Sequence, residues 1–257
     1  AEVQPQVANT SAPESNAFQI ANIRVANDND YLHHLIQYSK ALQQRNALLK
    51  SFVERRFFDE DSLEIWDEQL LQYASPIFES RKNFFLEFLP VFNTYYGLLS
   101  GEKETVDIEY QSSLWESDLR SQLLSSRQKD SMMQHTTCGI HKDELVFTIH
   151  QVPVKRFGSQ GQQKTFIIAL KLAQFAFTSR IKGYHPILLF DDVFDKLDEE
   201  RVQKLMQLVA DQDFGQVFVS DTHTDRIVGL FQNIKAPCRI FEVDNGSISR
   251  IFDTQTA

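Results

Sequence analysis

From Ser159 to Phe252 the sequence alternates between two rhythms in a way that leaves few folds open. Helical spacing predicts a helix over about 159–182, and a short apolar run predicts a strand at Ile187–Phe190. A helix over Glu199–Asp211, a strand over Gln216–Ser220 and a short helix over Thr224–Gln232 follow, then closing strands at Arg239–Val243 and Ile248–Phe252. Helices interleaved with apolar strands imply a mostly parallel sheet with covered faces, so the class is α/β. Ile187, Leu188, Leu189 and Phe190 are apolar without a break, which reads as a central strand buried on both faces.

Upstream the pattern is helical. Residues 1 to about 20 are small, polar and proline-bearing and read as a flexible lead. Leu32, Leu35, Ile36, Leu42, Leu48, Leu49 and Phe52 recur at helical spacing and predict a helix from Tyr31 to Arg56. Its other face carries Lys40, Arg45, Lys50, Arg55 and Arg56 against the single acid Glu54. That face reads either as a solvated surface or as a stripe that contacts phosphates. A second helix opens at "DEDSLEIWDEQLL", and its aromatic stripe runs to about Leu99, with Pro76 and Pro90 expected to kink or interrupt it. The short acidic link between the two helices predicts an antiparallel hairpin. After a turn at Gly101, "TVDIEYQ" reads as a strand, residues 113–130 as a helix, and "LVFTIH" with "QVPVKRF" as a hairpin of strands.

The net charge of −9 argues against a chain that coats nucleic acid through overall charge, although a local basic face remains open. Cys138 and Cys238 lie far apart with no Cys/His cluster, which suggests neither zinc nor a disulfide framework. No apolar run approaches the roughly 18 residues of a membrane span. The expectation is a cytoplasmic protein with no membrane partner.

The chemistry gathers at strand ends. Asp191 and Asp192 follow the apolar run at its C-terminal end, where open α/β sheets place ligands. Adjacent carboxylates repel unless solvent or a cation relieves them, and Mg²⁺ prefers such oxygen ligands together with phosphate oxygens. They read equally as caps of the next turn, but Asp195 and Asp198 crowd the same loop. "GQVFVSDTH" delivers Ser220, Asp221, Thr222 and His223 to the same sheet edge. Ahead of the long helix lies "FGSQGQQKTF". Ser159 is a good N-cap, Gly158 and Gly161 let backbone approach a ligand, and helix N-termini favour anions.

In order, "SQGQQ", "ILLFDD", "DKLD" and "VSDTH" resemble the signature, Walker B, D-loop and switch segments of an ABC-type ATPase head. The wording of "GIHKDELVFTI", "FGSQGQQKTFIIALKLAQF", "PILLFDDVFDKLD" and "YLHHLIQYSKALQQRNALLK" resembles the RecF family of DNA replication and repair proteins, over about Tyr31 to Phe252. The resemblance implies part of an ABC-type head plus an inserted antiparallel helical arm: a lead over 1–22, the arm over 23–130 and an ATPase lobe over 131–257. It implies that Ser159, Gln160, Gly161, Gln162 and Gln163 reach across a head dimer to the γ-phosphate of the partner's ATP. Asp191 would support Mg²⁺ through its water shell, and Asp192 would polarise the attacking water. Asp198 would lie at the dimer seam, and Asp221, or less closely His223, would take the switch position. Further implied are DNA at gaps or junctions, an ATP-dependent homodimer, mediator partners of the RecO and RecR type, and a nucleoid-associated place in the bacterial cytoplasm.

The pattern departs from a full head in one respect. Such heads carry G-x-x-x-x-G-K-[ST] to cradle phosphates, and this sequence contains no Gly-Lys dipeptide. The expectation is therefore the C-terminal part of such a protein, inactive alone and leaving an apolar sheet edge and face uncovered. Two other readings stay open: a short paralogue that binds DNA or a partner without catalysis, and a metal-dependent phosphohydrolase built on Asp191 and Asp192.

Overall fold

The structure, a computed structural model, describes residues 28–191, 193–194, 197–211, 214–234 and 238–253. The expected lead over 1–22 lies outside them, as do Asp192 and Asp195. Contacts divide the chain into two units. The first comprises the described residues up to Glu87 together with Ile108–Val146, and the second comprises Phe88–Asp107 and the described residues from Phe147 onward. Thr136 and Asp143 bond into the helices of the first unit, while Phe92 and Tyr96 pack on the long helix of the second.

In the first unit, α1 (Asn29–Arg55) starts where Asp28 accepts the Tyr31 N–H at 2.9 Å, and ends at Arg56 with φ 54°. α2 (Glu60–Ser100) returns antiparallel, since Arg81 near its middle reaches the Tyr31 hydroxyl while Leu49 and Phe52 cluster with Leu63 at the other end. Tyr31, Tyr38, Ala41, Leu70, Ala74 and Ile77 form the seam, joined by Leu119 and Leu123 of α3 (Leu119–Met133).

Pro76 and Pro90 do not interrupt α2. A helix-interior proline costs about 3 kcal/mol, whereas each buried aromatic or aliphatic side chain returns about 1.5–3 kcal/mol. Ile77 and Phe78 beside Pro76, and Phe88 and Phe92 flanking Pro90, are all buried, so continuity wins.

Beyond α2, Gly101 turns the chain at φ 70° into β1 (Val106–Gln111). β1, β2 (Glu144–Ile149) and β3 (Val152–Pro153) form a three-stranded sheet in that order, with β2 and β3 antiparallel. The second strand of the expected hairpin is only two residues long, because the chain turns at once into the single helical turn α4 (Val154–Phe157).

In the second unit, the last turns of α2 lie along α5 (Gln160–Lys182). Phe92 meets Phe166 at 4.8 Å between ring centroids, and Phe88 meets Phe177 at 6.0 Å. Many of the chain's 21 phenylalanines serve this packing: Phe88, Phe92, Phe166, Phe175, Phe177, Phe190, Phe194 and Phe214 are all buried. β4 (Leu188–Phe190) pairs in parallel with β5 (Val217–Val219) around the crossover helix α6 (Glu199–Asp211), and α7 (Thr224–Ile234) follows. β6 (Arg239–Asp244) and β7 (Ser247–Asp253) close the chain as an antiparallel hairpin through Asn245-Gly246, both at positive φ.

The expectation of a strand buried on both faces is corrected. Leu188 and Phe190 are buried, but Ile187 and Leu189 are 61% and 64% exposed and Phe218 beside them is 47% exposed. Side chains alternate across a strand, and the described helices cover one face of this ladder. The ladder therefore carries an apolar open face.

Candidate functional site

All the described residues expected at the nucleotide site belong to the second unit. Ser159 caps α5 in a reciprocal box: its hydroxyl accepts the Gln162 N–H at 3.2 Å, and the Gln162 Oε1 accepts the Ser159 N–H at 2.9 Å. The Gln162 amide also donates to Glu104 Oε1 at 3.0 Å, and the Gln163 amide donates to the Gly158 carbonyl at 2.8 Å. Two of the five collar residues thus spend their amides holding the collar, while Ser159 and Gln160 are exposed. Gly158 has a role other than ligand approach: at φ −69° its added Cβ would come within 2.7 Å of the Val154 carbonyl oxygen, so its smallness serves the turn out of α4.

The parallel ladder brings the next two segments together. Ser220 N–H donates to the Phe190 carbonyl at 2.9 Å, and its hydroxyl donates to Asp191 Oδ1, so the exposed Asp191 and Ser220 share one strand edge. Asp221, expected at the switch position, is held within its own turn. It accepts the His223 N–H at 2.7 Å, lies 3.4 Å from Arg226, and its side chain is only 6% exposed, whereas His223 projects to solvent. Arg226 also donates to the Phe194 carbonyl at 3.1 Å, fastening the strand end to the loop that leads into α6.

Asp198 opens α6 by accepting the Arg201 N–H at 2.8 Å. Arg201 was not legible as a site residue, and neither was Glu104. The Arg201 guanidinium donates to Thr165 Oγ1 at 2.7 Å, to the Gly161 carbonyl at 3.5 Å and to Glu104 Oε1 at 2.9 Å, and its Nε lies 3.3 Å from Asp198. Tyr96 donates to the other Glu104 oxygen at 2.5 Å. No local motif announces this cluster, because Glu104 and Arg201 are 97 residues apart.

Burial alone would raise the pKa of Glu104, but bonds from Tyr96, Gln162 and Arg201 outweigh it and hold the carboxyl below its ordinary 4.5. The phenol of Tyr96 is pushed the other way, first by burial and then by Glu104. A depressed carboxyl contributes stability above its unfolded-state value, and that stability is lost as pH falls through the folded-state value. Urea titrations followed by circular dichroism are expected to show wild type losing more stability between about pH 5 and pH 3 than Glu104→Gln. Parallel pH curves would refute this role.

The basic face of α1 divides. Lys40, Lys50, Arg55 and Arg56 are exposed, but Arg45 is fully buried, which corrects its place in a phosphate-contacting stripe. Arg45 donates to Asp67 at 2.6 Å, to Asp130 at 2.7 Å and to Thr136 Oγ1 at 2.9 Å. Its charge is spent inside the first unit. Neither cysteine is in a disulfide, and no described helix is long and apolar enough to cross a membrane.

No protein-family model matches the chain. Among curated proteins, the DNA replication and repair protein RecF of Flavobacterium johnsoniae is 49% identical over 216 residues, covering 84% of this chain and 60% of the relative. The protein of the same name from Phocaeicola vulgatus is 42% identical over 223 residues, covering 86% of this chain and 59% of the relative. A solved structure of the recombination mediator protein RecF with ATP, in the RecFOR pathway, superposes with a TM-score of 0.71 at 26% identity, covering 84% of this chain and 59% of that one. A second, of RecF with ATPrS, gives 0.73 at 24% identity over 93% of this chain and 63% of that one, and supports the fold. The chain spans about three-fifths of the length of the curated relatives it matches. Its fold is that of a RecF-type ATPase head with a helical arm, and over the residues it shares with these relatives the chain belongs to the RecF family.

Proposed function

We propose that this chain supplies the half of a RecF-type ATPase site that closes on a nucleotide carried by a second head, in DNA replication and repair. The observation that carries the reading is the collar. Ser159 and Gln160 stand exposed at the first turn of α5, on a backbone braced by Gln162, Gln163 and Arg201. Early helix N–H groups lack intrahelical partners and favour an anion, so the γ-phosphate of ATP is the ligand that this position suits.

The other residues fall into supporting roles in this reading. Asp191 presents an exposed carboxylate oriented by Ser220, a ligand that suits Mg²⁺ held mainly by phosphate oxygens and water. The ion would neutralise phosphate charge as the terminal bond breaks. Asp192, adjacent in sequence, would orient the attacking water, and Asp198 would meet the opposite head. Asp221 would set the turn that aims His223. Lys40, Lys50, Arg55 and Arg56 remain for duplex phosphates at gaps or junctions, and mediator proteins of the RecO and RecR type would join at the nucleoid. The open apolar face of Ile187, Leu189 and Phe218 suits a layer packed on it by the glycine-rich half of a head, whichever chain supplies it.

A photoreactive ATP analogue, carrying its reactive group on the γ-phosphate, tests the assignment. It is loaded on Flavobacterium johnsoniae RecF and mixed with this chain. Label is expected in the peptide spanning residues 157–164. Label confined to the relative, or found on this chain only in α1, would overturn the reading.

A further inference from the structure

We infer that Arg201 is a positioning residue that makes the collar respond to whatever engages Asp198. The inference rests on the reading above only in naming what the collar and Asp198 face; the coupling itself is a property of the unliganded chain. One guanidinium serves every partner. Nε lies 3.3 Å from Asp198, Nη1 reaches Thr165 Oγ1 and the Gly161 carbonyl in the first turns of α5, and Nη2 donates to Glu104 at 2.9 Å. Glu104 in turn takes Gln162, the residue that completes the Ser159 capping box.

Burial makes the arrangement directional. The Arg201 and Glu104 side chains are 16% and 12% exposed, while Asp198 is 62% exposed. Asp198 is thus the outward arm of a mostly buried cluster, and the collar is its other outlet. A rigid planar fork transmits a change at one arm because its donors cannot be redirected independently. If a partner engaged Asp198, the ion pair to Nε would weaken, and the hold on Gly161, Thr165 and Glu104 would readjust with it. Glu104 supplies the fixed point, since Tyr96 pins its second oxygen.

Hydrogen–deuterium exchange of the whole chain, without nucleotide, tests the coupling. Asp198→Asn keeps a capping side chain for α6 but removes the charge facing Nε. It touches no atom of α5, yet it is expected to speed exchange of the 163–165 amides by about tenfold. In an Arg201→Gln background the same change is expected to add less than about twofold, and Arg201→Lys, which keeps charge without the fork, is expected not to restore the transmission. Protection in α6 around Leu205 and in the β6–β7 hairpin confirms that each variant is folded. If Arg201→Gln unfolds the unit, Arg201→Lys and Glu104→Gln replace it as backgrounds, with the same expected loss of transmission. Unchanged exchange at 163–165 in Asp198→Asn, or an equal change in the absence of the fork, overturns the inference. Because no nucleotide enters, failure here is distinct from failure of γ-phosphate labelling.

Discussion

Arg45→Met is expected to destabilise the helical unit by about 3–5 kcal/mol, the cost of removing one partner from a buried charge cluster. Arg45 is wholly enclosed, and Asp130 beside it is equally buried. Each carboxylate has partners besides the arginine: Asp130 Oδ1 accepts from Thr137 N–H and Oγ1 at 2.9 and 2.7 Å, and Asp67 lies 3.4 Å from Arg127. Those bonds orient the acids but do not neutralise two of them. Methionine matches the arginine stem and leaves both charges facing an apolar side chain. Arg45→Lys is also expected to fail, since one ammonium on a flexible stem cannot serve both carboxylates and Thr136 with the geometry of a guanidinium. Both tryptophans, Trp66 and Trp115, fall in this unit, so their fluorescence during urea unfolding reads it selectively. A loss below about 1 kcal/mol would show that the cluster is solvated or dispensable.

The second large effect is on association. Ser159→Arg is expected to weaken ATP-dependent pairing with a full-length RecF relative by at least about 100-fold, the equivalent of one or two charge-assisted hydrogen bonds. Two effects oppose each other. An added cation attracts phosphate, but its bulk separates the phosphate from backbone donors at the first turn. Bulk wins because those donors act only at contact distance, whereas an exposed charge is screened by salt. Ser159 is exposed, so the folding cost stays near the roughly 1 kcal/mol of a lost N-cap, and Ser159→Ala isolates that cost. Pairing preserved in Ser159→Arg would remove the collar from the interface.

Periodicity carried most of the fold. The expected helix over Glu199–Asp211 is the observed α6, and Ser159 is the observed cap of α5, because both depend on neighbours in sequence. What periodicity missed was decided by distant residues. The exposure of Leu189 depends on which elements cover the ladder, and the burial of Arg45 depends on Asp67 and Asp130, 22 and 85 residues away. Arg45 occupies the same helical face as the buried residues Tyr31, Tyr38 and Phe52, a spacing of seven that could have flagged it as interior. Of the candidate site, the places of Ser159 at the helix start and Asp191 at the strand end were legible from their motifs, and Asp192 lies outside the described residues. Arg201, Glu104 and Arg226 were not, since each acts by joining segments that are remote along the chain.

The central claim, that this chain contributes a collar to a nucleotide held by another head, is tested most directly by sedimentation velocity of the wild-type chain mixed with Flavobacterium johnsoniae RecF. With ATP and Mg²⁺ the two are expected to form a heterodimer that ADP does not support and that Ser159→Arg abolishes. Equal association with ATP, with ADP and without nucleotide would contradict the claim, as would no association in any of them.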